Sequence, residues 1–158
     1  MKIKEFDLLE KALEIAVKAH RGQKDRYGAP YILHPLRVMN RVETLREKMV
    51  AILHDVVEDT KWTFADLQRE GFPKEVIAAV DCLTKRDKEP YDSLISRAAS
   101  NPVARKVKLA DLQDNMDASR LNNFTAEDAK RFTKYISAWQ RLASVEGPGG
   151  KIPRSEKV

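Results

Sequence analysis

The chain has 158 residues, the size of one domain with one substantial core. Its 42% hydrophobic and 34% charged residues exclude a disordered chain, and no apolar run approaches the roughly 20 residues of a membrane span. The 29 Lys and Arg against 24 acids give a net charge of +5, which favours anionic partners, but they are interleaved with Asp and Glu and form no basic stripe, so the expected partner is a phosphate-bearing small molecule, with neither nucleic acid nor membrane.

The apolar spacing is helical almost throughout, with no sustained period-two alternation, and the expected fold class is all-α. Phe6, Leu9, Leu13, Ala16 and Val17 form the first apolar stripe, on a helix ending near His20. Acidic residues lie among the apolar ones in MKIKEFDLLEKALEIAV, whereas a signal peptide keeps its apolar stretch uncharged. The lone Cys82 cannot form an internal disulfide, so the expected location is cytoplasmic. The segment from Gly22 to Pro35 carries Gly28 and Pro30 and reads as a loop.

A second helix is expected from Pro35, a favourable first-turn position, to about Leu45, and a third from about Glu47 to Glu58. Thr63 with Asp66 has the spacing of a capped helix start, and Pro73 opens a helix bearing Val76, Ile77, Val80 and Leu83. Helices at about 90–99 and 102–117 follow. Thr125 with Asp128 then caps a long helix carrying Phe132, Tyr135, Ile136, Trp139 and Leu142. One domain over 1–146 is expected, and the Gly-, Pro- and Lys-rich stretch 147–158 is expected to be a flexible tail.

The segment His54-Asp55-Val56-Val57-Glu58-Asp59 carries the most chemistry. On a continuous helix at about 100° per residue, Glu58 falls about 40°, Asp55 about 100° and Asp59 about 140° from His54, so four ionisable groups share a face. A solvated polar face would explain Glu58 and Asp59. It explains His54 and Asp55 poorly, because acids near a helix C-terminus oppose the helix dipole unless a cation is bound there. A second piece, Tyr31-Ile32-Leu33-His34-Pro35, places a histidine where a loop enters a helix. A third, Lys108 to Met116, puts Lys108, Asp111 and Asn115 on one helical face beside a core stripe of Leu109, Leu112 and Met116. The second and third pieces alone fit ordinary structure. Together, two imidazoles and two carboxylates make a nitrogen–oxygen ligand set suited to Mn²⁺, Fe²⁺ or Zn²⁺, with positions left for water and a substrate oxygen.

In this order, HRGQKDRYGAPYILHP, AILHDVVEDT and VKLADLQDNM, with Leu83-Thr84-Lys85 between the last two, resemble the HD superfamily of metal-dependent phosphohydrolases. More narrowly they resemble the stand-alone alarmone hydrolase domain of the RelA/SpoT family, over roughly residues 5 to 145. The resemblance implies an HD-domain helical bundle with one ion, typically Mn²⁺, held by His34, His54, Asp55 and Asp111. It implies that Glu58 and Asp59 orient or deprotonate the attacking water and that Asn115 contacts the nucleotide. The implied activity is hydrolysis of guanosine 3′,5′-bis(diphosphate), ppGpp, to GDP and pyrophosphate. The alternatives are hydrolysis of another nucleoside phosphate or of a phosphorylated cofactor such as NADPH, or a catalytically silent nucleotide-sensing domain.

The larger members carry an Arg-Lys pair where this chain has Asp25 and Arg26, so Arg21, Lys24 and Arg26, with Lys108, are the candidates for holding substrate phosphate. They also have Arg-Leu-His-Asn where this chain reads Leu-Gln-Asp-Asn, which alters the pocket wall near Asp114 and Arg120. His20 is expected to be structural, Cys82 to be a packing residue, Trp62 and Trp139 to be packing aromatics, and Lys85, Arg86 and Lys88 to lie in a solvated loop.

Overall fold

Thr44, Thr63 and Thr125 each accept a hydrogen bond from the backbone three residues on, while the acid at that position reaches back to the threonine amide. These reciprocal caps satisfy donors that a helix start otherwise leaves open, and they set where three helices begin. The computed structural model describes residues 2–145. Among them the helices are α1 (Lys2–Ala19), α2 (Leu33–Asn40), α3 (Leu45–Leu53), α4 (Val56–Asp59), α5 (Phe64–Arg69), α6 (Lys74–Leu83), α7 (Tyr91–Ser100), α8 (Pro102–Asn115) and α9 (Ala126–Ala143), with a 3₁₀ turn at Ala118–Arg120. There is no strand among the described residues beyond an isolated bridge between Lys24 and Pro30, and the fold is all-α. No described helix is long and apolar enough to cross a membrane. The stretch 147–158, expected to be a tail, lies outside the described residues.

Helix α3 is the axis of the core. Met49, Val50, Ala51, Ile52 and Leu53 are all fully buried, five consecutive apolar residues with neighbours on every side. The helix packs against α1, α2, α6 and α8, and α8 in turn packs against α2, α6, α7 and α9. The two helices at the centre therefore bring the second and third sequence motifs together.

Four expectations are corrected. The core side of α1 runs through Leu8, Ala12, Ile15 and Ala16, while Phe6 and Val17 stand about half exposed. The two alanines allow α3 a closer approach than the bulkier stripe would. Helix α2 is shorter than expected and ends at Asn40, because Thr44 caps a new helix four residues later. Pro35 still lies in its first turn, where the missing N–H costs no hydrogen bond. The expected third helix is broken in two: His54 closes α3 and Asp55 opens α4. Trp62, Cys82 and Trp139 pack against the core as expected, whereas Ile136, expected in the apolar stripe of α9, is about half exposed.

Candidate metal centre

His54 and Asp55 sit where α3 gives way to α4, and their side chains meet there, with His54 Nε2 3.0 Å from Asp55 Oδ2. The first turn of α2 supplies His34 and the last turns of α8 supply Asp111, whose Oδ1 lies 3.0 Å from His34 Nε2. The cross distances, His34 Nε2 to Asp55 Oδ2 and His54 Nε2 to Asp111 Oδ1, are both 3.8 Å. One atom from each of the four residues thus borders a common point.

Both imidazoles are fixed from behind. His34 Nδ1 lies 2.7 Å from Asp114 Oδ2, and His54 Nδ1 lies 2.6 Å from the carbonyl of Ala51. A carboxylate and a carbonyl only accept, so each Nδ1 donates and each Nε2 can present its lone pair inward. His54 Nε2 is buried and has no hydrogen-bond partner. Tyr31 Oη donates to Asp55, and Asp111 receives Lys108 Nζ and Asn115 Nδ2, each at 2.7 Å. An orphaned imidazole nitrogen facing two carboxylates, with both rings oriented from outside, fits a divalent ion of mixed nitrogen–oxygen preference. Among the described residues, donor atoms of His34, His54 and Asp111 lie within 4.8 Å of one another, as do those of Asp55, Glu58 and Asp59.

Burial works against charge on His54, yet the adjoining Asp55 and Asp111 carboxylates raise its pKa well above the ordinary value. Burial likewise opposes charge on Asp111, but Lys108 and the two imidazoles hold its carboxyl well below the usual range. Asp59 goes the other way: burial and the charges of Asp55 and Glu58 push it up to about 6.

The centre opens into a cleft of about 380 Å³. Of the residues expected to serve the substrate, Lys24, Arg26, Lys108 and Asn115 line it, as do Glu58 and Asp59. Lys108 and Asn115 spend their polar ends on Asp111. Arg21 does not line this cleft; it follows α1 and borders a neighbouring groove with Val17, Pro30 and Ile32, which Lys24 shares. Asp25 is occupied in shaping its own loop, accepting from the amides of Tyr27 and Ala29. Glu58 accepts from the amide of Lys85, so the Leu-Thr-Lys piece reaches the site through its backbone. His20 is buried and bonded to Gln23, whose amide reaches the carbonyl of Asp59.

Arg120, expected near the pocket wall, does line the cleft, whereas Tyr27, Arg131 and Tyr135 were not anticipated there. Arg120 lies over the Tyr27 ring, 5.6 Å from its centroid, and Arg131 donates to the Tyr27 hydroxyl at 3.1 Å. The one available signal was the spacing of four between Arg131 and Tyr135 on α9.

No family model matches the chain. It is 34% identical over 138 residues to a guanosine-3′,5′-bis(diphosphate) 3′-pyrophosphohydrolase of Aquifex aeolicus, which covers 80% of this chain and 19% of that protein. It is 36% identical over 110 residues to the bifunctional (p)ppGpp synthase/hydrolase SpoT of Escherichia coli, covering 67% of this chain and 15% of SpoT. The chain is a relative of the RelA/SpoT enzymes. Another relative, a GTP pyrophosphokinase of Streptomyces coelicolor, is 37% identical over 125 residues, 71% of this chain and 15% of that protein. The chain thus spans less than a fifth of the length of these curated relatives. A solved structure of a metazoan ortholog of SpoT that hydrolyses ppGpp superposes with a TM-score of 0.71 at 26% identity, covering 85% of this chain and 84% of that one.

Proposed function

We propose that this chain is a divalent-metal-dependent phosphohydrolase that removes the 3′-pyrophosphoryl group of ppGpp, giving GDP and pyrophosphate. The observation that carries the reading is the convergence of His34 Nε2, His54 Nε2, Asp55 Oδ2 and Asp111 Oδ1 at 3.0–3.8 Å, with both imidazoles anchored from behind. These four residues would hold the ion, Mn²⁺ being the species the family resemblance implies. When bound, such an ion neutralises phosphoryl charge and makes water more acidic.

The remaining work falls to the chain's own groups. Asp59, whose carboxyl sits near 6, is mostly ionised at neutral pH and basic enough to take a proton from water at its carboxylate. Glu58, held by the Lys85 amide, orients that water. Lys24, Arg26, Arg120 and Arg131 meet the negative charge of the two diphosphates, and the aromatic face of Tyr27 offers a place against which a base can lie. Asp25 is spent on its own loop, which favours one variant of this reading: the same chemistry on another nucleotide or on a phosphorylated cofactor.

The test is product analysis. The protein is incubated with Mn²⁺ and, separately, ppGpp, GTP, NADPH and nucleoside monophosphates, with His54→Ala and Glu58→Ala as controls. Pyrophosphate from ppGpp, lost in both variants, is the expected result. Turnover of another substrate in its place selects the variant reading, and metal-dependent turnover of nothing would leave only a nucleotide-sensing domain.

A further inference from the structure

Asp114 lies three residues past Asp111 on α8, and its side chain is fully buried. Four groups donate to it or stand beside it. Oδ1 accepts from Arg37 Nε at 2.7 Å and Arg41 Nη1 at 3.3 Å. Oδ2 accepts from His34 Nδ1 at 2.7 Å and Arg37 Nη2 at 3.1 Å, with Arg120 Nη2 3.5 Å away. His34, Arg37 and Arg41 are spaced three and four apart, so one side of α2 and the residue that caps its end present all of them to α8.

We infer that Asp114 is a positioning residue: its carboxylate fixes His34 in the tautomer whose Nε2 faces Asp55 and Asp111, and the three arginines are the counter-charges that let an anion occupy this buried position. The inference rests on the metal-centre reading above. A lone carboxylate buried here would be strongly disfavoured, and without it three guanidinium groups would converge on nothing. Of the groups around Asp114, His34 alone faces the candidate centre. The network therefore spends its one imidazole contact on orienting a ligand. Arg120 also sits over Tyr27 and 3.9 Å from Asp25, so the same carboxylate braces the cleft wall.

The two oxygens are not equivalent, and that gives a sharp test. In Asp114→Asn the single oxygen is best placed at Oδ1, between Arg37 and Arg41, which leaves the amide NH₂ facing His34. His34 Nδ1 must then accept, its proton moves to Nε2, and the inward lone pair is lost. Mn²⁺ binding by calorimetry to metal-stripped full-length protein is expected to weaken roughly 10–100-fold in Asp114→Asn. Thermal unfolding without metal should stay cooperative. ¹⁵N NMR of the wild-type protein loaded with diamagnetic Zn²⁺ should show His34 protonated at Nδ1 and unprotonated at Nε2, a readout that needs no variant to fold. Binding by Asp114→Asn within twofold of wild type, or a wild-type His34 protonated at Nε2, overturns the inference while leaving the metal centre standing. Failure of the wild-type protein to bind Mn²⁺ at all would overturn the centre and this inference together.

Discussion

At the scale of single residues, the centre separates groups that hold from groups that react. Glu58 and Asp59 line the cleft and group with Asp55 rather than with His34, His54 and Asp111. Asp59→Asn should therefore lower the turnover rate by about 10²–10⁴-fold, the usual worth of a positioned base, with Mn²⁺ affinity within a few-fold of wild type. A parallel loss of affinity in calorimetry would show that Asp59 is a ligand instead. Asn115 behaves oppositely: its amide is committed to Asp111 Oδ1, the same oxygen that faces His34. Asn115→Ala should loosen Mn²⁺ binding in the same titration, and an unchanged metal affinity with a raised KM would return Asn115 to the direct substrate contact expected from the sequence.

At the scale of elements, the caps and one ion pair set how firmly the site is held. Thr44 caps α3, and its partner Glu47 also binds Lys106 of α8 at 2.7 Å, so the cap joins the two helices that supply His54 and Asp111. Thr44→Ala should cost about 1 kcal/mol in denaturant unfolding, with metal affinity unchanged. Arg97 of α7 grips both oxygens of Glu89 at 2.8 and 2.6 Å and donates to the carbonyls of Asp81 and Thr84. This clamp orders the loop from which Lys85 donates to Glu58. The Arg97 hydrogen bonds hold the Glu89 carboxyl at about 2, below its ordinary 4.5. Because the folded carboxyl is the stronger acid, the pair stabilises the fold above about pH 4.5 and that contribution is lost as the pH falls toward 2. The stability gap between wild type and Glu89→Gln should narrow over that window in acid-unfolding curves. A gap independent of pH would remove the pair from the account.

At the scale of the whole molecule, the four candidate ligands come from α2, the α3–α4 break and α8, so an ion bound there would tie three separate segments. Mn²⁺ at 100 times its dissociation constant should stabilise the fold by roughly 2.7 kcal/mol, reversed by a chelator and absent in His34→Ala. A wild-type melting curve that ignores Mn²⁺ would argue against the site. The helical class, the capping pairs at Thr63 and Thr125 and the candidate residues in each motif were legible in the chain, because periodicity, caps and residue chemistry are local properties. The break between His54 and Asp55 was not, since a stretch of apolar and acidic residues carries no local signal, such as Gly or Pro, that would end a helix there. Nor were Arg120, Arg131 and Tyr27 legible as one cleft, for no spacing relates a loop at 27 to a helix at 131. The sequence by itself determined which atoms are available to a metal and a phosphate. The tertiary structure decided which of them meet: His34 with Asp111, Asp114 behind His34, and Arg21 outside the cleft. Burial of α3 on several sides at once is what sets those distances.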